Sequence, residues 1–153
     1  MKPWERWTFN IVSLIVAVTG FAYFWMKYAM ETNDPFAVVN HPWQSTMLTV
    51  HLLASPPMIL LFGILLNSHI MKKLRVPRMA NRRSGLLSLG AFVAMVCSGY
   101  LLQVTMDERW MGVLIALHVT SGALFSGAYG IHLLVSLRVV RRGLSQEAAR
   151  EVA

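Results

Sequence analysis

The sequence predicts an all-α membrane protein, a bundle of four transmembrane helices built from two similar helical hairpins with both termini cytoplasmic. Three observations lead there. Hydrophobic residues make up 56% of the 153 and the mean hydropathy is +0.51. Apolar runs of spanning length recur along nearly the whole chain. The basic residues gather in clusters that one orientation places on a single membrane face. The runs cover roughly Thr8–Ala29, Ser45–Met71, Gly85–Met106 and Met111–Val139, which leaves no room for a soluble domain. Residues 1–153 therefore read as one integral-membrane domain with a cytoplasmic tail over 140–153.

Span one has an apolar stretch longer than the core of a cleavable signal, and no small-residue cleavage pattern follows it, so it reads as a retained anchor. Span two carries Pro56-Pro57 near its middle. Span three holds the single cysteine, Cys97, in mid-span. With no second thiol, an internal disulfide, a cysteine-rich metal cluster and a C-x-x-C-H haem attachment are excluded, so a redox cofactor has to be held by histidine. Span four is followed by Leu144–Ala153, a polar, helix-prone stretch expected as a surface helix or docking tail.

Charge sets the orientation. Lys2 and Arg6 precede span one, Lys72, Lys73, Arg75, Arg78, Arg82 and Arg83 lie between spans two and three, and Arg138, Arg141, Arg142 and Arg150 end the chain. These belong on the cytoplasmic side by the positive-inside bias, while only Lys27 and Arg109 fall at the other face, beside Glu31, Asp34, Asp107 and Glu108. Topology thus accounts for the net charge of +7 without invoking nucleic acid.

Four of the five histidines lie on two spans, two on each: His51 and His69, then His118 and His132. The steps of 18 and 14 residues are close to whole numbers of helical turns, so each span carries its pair on one face. A polar ring in hydrocarbon costs free energy unless it has a partner or a metal. The spans also look duplicated. Thr19-Gly20-Phe21 in span one matches Ser98-Gly99-Tyr100 in span three, and HIMKKLRV from His69 matches HLLVSLRV from His132. Trp43 stands eight residues before His51 and Trp110 eight before His118. Tryptophan prefers the interface and arginine the cytoplasmic edge, so these offsets place His51 level with His118 near the outer face and His69 level with His132 near the inner face. The four-residue difference between the steps falls on the span with Pro56-Pro57, where a kink, a bulge or a larger tilt would absorb it.

Facing imidazoles without nearby carboxylates or thiolates suit the axial positions of a b-type haem. Zinc wants further ligands, which the neighbours Val50, Leu52, Leu117 and Val119 do not offer, and the ten methionines are dispersed rather than spaced for copper. A porphyrin needs space between helices, which Gly20, Gly99, Gly63, Gly122, Gly127 and Gly130 would supply; ordinary close helix packing explains glycines equally well.

On these residues, His51, His69, His118 and His132 across all four spans, the chain resembles the di-haem membrane cytochromes b, a superfamily that includes quinone-linked respiratory subunits and small bacterial four-helix cytochromes. The step of 18 and the double proline depart from that pattern. The resemblance implies two non-covalent haem b groups in series, about 20 Å apart along the membrane normal. It implies electron transfer between a quinone pool and a partner redox protein, an extracytoplasmic cytochrome or iron–sulfur protein, in the cytoplasmic membrane of a prokaryote. The chain would be the membrane subunit of an oxidoreductase, with no catalytic group of its own. A quinone pocket wants aromatic walls and a few hydrogen-bonding groups at an interface, and His41, Trp43, Gln44, Asp107 and Trp110 offer that mixture on the outer face. Two other readings remain open: a haem- or metal-handling transporter with transient histidine ligands, and a non-redox scaffold subunit whose histidines only pack.

Overall fold

A computed structural model describes residues 3–31, 40–67, 71 and 82–151, and every regular element among them is helical. The helices are α1 (Pro3–Tyr28), α2 (Gln44–Leu65), α3 (Arg82–Val104) and α4 (Glu108–Glu151). All four are long and apolar enough to cross a membrane, α3 over Leu86–Val104 and α4 over Glu108–Val135. The chain divides into two compact units, Met1–Ala80 and Asn81–Ala153; α1 packs on α2 in the first and α3 on α4 in the second. The basic residues Lys72, Lys73, Arg75 and Arg78 lie outside the described residues.

Local chemistry explains where the helices begin and stop. Pro3 opens α1, a position where a missing N–H costs nothing, and Glu5 and Lys27 stand at the ends that complement the helix dipole. At its exit the N–H groups of Ala29 and Met30 both bond to Trp25 O, at 2.9 and 3.1 Å. The Asn40 side-chain amide donates to Lys27 O and Met30 O at 3.1 and 2.9 Å, which satisfies carbonyls that the helix end leaves without donors. The Asn40 N–H donates to Oε1 of buried Gln44 at 3.1 Å, so the same residue ties the end of α1 to the start of α2.

Proline lacks the N–H that carbonyls four residues back would accept, so Pro56 and Pro57 deprive Leu52 and Leu53 of their helical donors. The helix nevertheless continues through both prolines to Leu65, where the N–H of Leu66 is shared between Phe62 O and Gly63 O. Asp107 caps α4: its Oδ1 accepts the N–H groups of Arg109 and Trp110, both at 3.0 Å.

Two boundaries differ from those expected. Helix α1 begins at Pro3, five residues before Thr8, because Trp4 and Trp7 continue the helical pattern to the interface. The α-helical run of α2 ends at Leu65, residues 66–67 and Met71 are helical as well, and residues 68–70 lie outside the described residues. Helix α4 runs for 44 residues without a break before Leu144, so the tail is a direct continuation of span four. At about 1.5 Å per residue that helix is about 66 Å long, twice the thickness of a hydrocarbon core.

The packing is that of a chain whose solvent is apolar. Buried hydrophobic side chains are few, among them Phe9, Val16, Met58, Phe62, Phe92, Leu114 and Phe125, while leucines, isoleucines and valines face outward along every helix. All five tryptophans are outside the core: Trp4, Trp7, Trp25, Trp43 and Trp110 are between 54% and 64% exposed. Trp4 and Trp25 are 21 residues apart, about 31 Å of helix, which matches the span between the two interfaces of a bilayer.

Candidate functional site

In the first unit the faces of α1 and α2 that meet carry Phe9, Val16 and Gly20 on one side and Phe62 and His51 on the other. The rings of Phe9 and Phe62 pair with centroids 6.3 Å apart, and farther along His51 reaches Val16 and Gly20, so the helices run antiparallel. The His51 imidazole lies edge-on against Gly20. A Cβ on Gly20 would sit 2.8 Å from its Cε1 and 3.0 Å from its Nδ1, so the ring would have to shift to admit it. The ring occupies a notch that only glycine leaves open, and there His51 Nδ1 is 2.9 Å from the carbonyl oxygen of Val16, one turn before Gly20.

The second unit repeats this arrangement on different helices. His118 of α4 lies against Gly99 of α3, where a Cβ would be 2.9 Å from Cε1 and 3.2 Å from Nδ1. His118 Nδ1 is 2.9 Å from Met95 O, again one turn before the glycine. Phe92 and Phe125 pair below it at 5.2 Å, and Tyr129 stacks on Phe125 at 6.1 Å.

The partner atom fixes the role of Nδ1. A carbonyl oxygen can only accept, so Nδ1 carries a proton in both histidines, and in the neutral ring the lone pair is then on Nε2. Both rings are half-buried rather than sealed in the packing. The residue preceding each glycine is a buried hydroxyl. Thr19 Oγ1 donates to Ile15 O at 2.7 Å and lies 3.3 Å from Val16 O. Ser98 Oγ donates to Ala94 O at 2.6 Å and lies 3.0 Å from Met95 O. These bonds keep polar atoms satisfied at the level where the imidazole enters.

Of the other expected donors, His132 is on an exposed face of α4, and His69 lies outside the described residues. Among the described residues no group of three or more His, Cys, Asp and Glu comes together, so the nitrogen donors at hand are single histidines. Gly63, Gly127 and Gly130 face open space, and a Cβ on Gly122 would meet Met95 Sδ at 3.5 Å, an ordinary contact.

His41, Trp43 and Gln44 come together on the turn that enters α2. His41 Nδ1 accepts the Trp43 N–H at 3.1 Å, and Gln44 Oε1 is taken by Asn40. Asp107 and Trp110 begin α4 in the other unit, where Asp107 Oδ1 serves as a cap. The polar atoms expected to face a quinone thus also hold the helix starts, while both tryptophan rings remain 63% exposed.

In the sequence Gly20 and Gly99 read as space for a cofactor, whereas nothing marks Thr19 and Ser98 as site residues. The repeated Thr-Gly and Ser-Gly pairs were the visible signal, but the carbonyl one turn earlier leaves no mark in a side-chain pattern. No family model, no curated protein and no solved structure matches this chain.

Proposed function

We propose that this chain is a di-haem b-type membrane cytochrome that moves electrons across the cytoplasmic membrane of a prokaryote, between a quinone pool and a partner redox protein. The observation that carries this reading is the histidine notch, made twice with one donor geometry. An imidazole whose Nδ1–H is bound to a carbonyl offers Nε2 to a metal in a fixed tautomer and orientation, with its basicity raised by the acceptor behind it. That chemistry is what a histidine that would hold haem iron needs.

In this reading the four helices form one bundle of two hairpins with both termini cytoplasmic. His51 and His118 are the ligands of an outer haem, and His69 and His132 are those of an inner one. When bound, b-type haem supplies a reversible one-electron iron couple; the chain's contribution is orientation and electrostatics. Val16 O and Met95 O hold the two rings against rotation. Gly20 and Gly99 let them approach the neighbouring helix, and the sequence neighbours Leu52, Leu117 and Val119 are apolar. The partner is an extracytoplasmic cytochrome or iron–sulfur protein, and the quinone is taken at the outer face by Trp43 and Trp110 with His41, Gln44 and Asp107.

The test is direct. Protein purified from membranes in mild detergent should show a reduced-minus-oxidised b-type spectrum and two haems per chain by the pyridine haemochrome assay. His51→Ala and His118→Ala should each remove the same haem and leave the other. A folded, helical preparation without haem would overturn the reading and favour a packing role for the histidines.

A further inference from the structure

Ser98 is the most deeply buried side chain of the described residues, at 0% exposure, and it sits where the His118 ring enters α3. A serine in a transmembrane helix ordinarily does no more than return its hydroxyl to a carbonyl of the preceding turn. Ser98 does this, donating to Ala94 O at 2.6 Å, and its single proton is thereby committed. Its oxygen is also 3.4 Å from His118 Nδ1. That nitrogen is the donor, since Met95 O can only accept from it at 2.9 Å. The Ser98 lone pairs are therefore the complementary group, and the Nδ1–H is shared between Met95 O at the shorter distance and Ser98 Oγ at the longer.

We propose that Ser98 is a positioning residue for His118: its hydroxyl, polarised by the bond it donates to Ala94 O, acts as a second acceptor behind the imidazole and sets how much electron density the ring delivers through Nε2. This rests on the haem reading and refines it by adding a control on the outer site's potential. Two consecutive hydrogen bonds, Nδ1–H to Oγ and O–H to the Ala94 carbonyl, polarise one another in a low-dielectric surrounding. A ring with more anionic character stabilises the oxidised iron over the reduced one, so the hydroxyl holds the potential down. The contact at 3.4 Å is long for a primary bond, which makes the effect one of tuning rather than of ligand retention.

Ser98→Ala removes the second acceptor with little change in volume, and Ser98→Thr restores a hydroxyl of the kind Thr19 carries at the matching position. Both should bind haem at the wild-type stoichiometry. In a spectroscopic redox titration one haem step of Ser98→Ala should move to higher potential, while Ser98→Thr titrates close to wild type and the second step stays in place. A second measurement needs no haem: in haem-free protein labelled with 15N-histidine, the His118 Nδ1 proton should resonate upfield in Ser98→Ala relative to wild type and return in Ser98→Thr. Unchanged proton resonance in Ser98→Ala, or Ser98→Thr behaving as Ser98→Ala, would overturn the role of the hydroxyl. Wild-type protein that binds no haem but shows the proton shift would overturn the haem reading and leave the hydrogen bond standing.

Discussion

The two helix pairs make the same histidine contact but differ in length beneath it. In the pair of α3 and α4, the aromatic contact lies seven residues from the notch on both helices, Phe92 to Gly99 and His118 to Phe125. In the pair of α1 and α2 it lies eleven residues away on both, Phe9 to Gly20 and His51 to Phe62. The first pair thus has one extra turn in each helix. The step from phenylalanine to the next histidine is the same in both, seven residues from Phe62 to His69 and from Phe125 to His132. The longer step between His51 and His69 is therefore not a peculiarity of Pro56-Pro57. It is the α2 half of an added layer that α1 matches, and matching is what keeps the interface in register, because four residues inserted in one helix alone would displace every contact beyond them by about 6 Å. The added layer also holds Ser13, whose Oγ is buried without a hydrogen-bond partner.

The largest effect that would break this comparison comes from shortening one helix. Deleting residues 54–57 from α2, or residues 10–13 from α1, should abolish the folded protein, seen as loss of a monodisperse peak in detergent and of cooperative thermal unfolding by circular dichroism. The double deletion gives both helices seven-residue spacing and should recover folded protein relative to either single one. An α2 deletion as stable as wild type would mean that the extra turn is a local bulge.

A smaller effect separates the notch glycines from the rest. Gly20→Ala and Gly99→Ala place a methyl group 2.8 and 2.9 Å from an imidazole carbon, and overpacking of this kind costs about 1–3 kcal/mol. Gly63→Ala and Gly127→Ala enter open space and should be neutral or gain up to about 1 kcal/mol from helix propensity. Unfolding titrations in mixed detergent would rank the four; equal costs at all of them would dissolve the special status of the notch.

The smallest effect sharpens the comparison at the helix starts. Helix α4 has a carboxylate cap in Asp107, whereas Trp43 before α2 offers no side-chain cap bond. Asp107→Ala should cost about 1 kcal/mol in the same titration and Asp107→Asn much less. An alanine variant with wild-type stability would remove the cap as the reason α4 starts where it does.

Much of this was legible in the sequence. Hydropathy revealed four helices, and the equal Trp-to-His offsets singled out His51 and His118, because interfacial tryptophans and one-face histidines are written in side chains. The paired Thr-Gly and Ser-Gly were visible as a repeat but not as notches, since the group they present to the imidazole is a backbone carbonyl. The extra turn was legible only by half: the histidine spacing showed it in α2, but Phe9 and Phe92 could not be matched until their partners Phe62 and Phe125 were seen across the interface. Helix α4 ran on through Gly143 because a single glycine costs only about 1 kcal/mol and a long helix already under way absorbs it.

The outward tryptophans determine what light can report about this molecule. Its ultraviolet emission comes from five indoles, every one more than half exposed. Their colour and their quenching will follow the surrounding detergent or lipid: brominated acyl chains should reach Trp4 and Trp25 as they would a dye dissolved near the headgroups. Unfolding the core will hardly change them. The signal most often used to watch a protein melt is, in this chain, a gauge of its solvent.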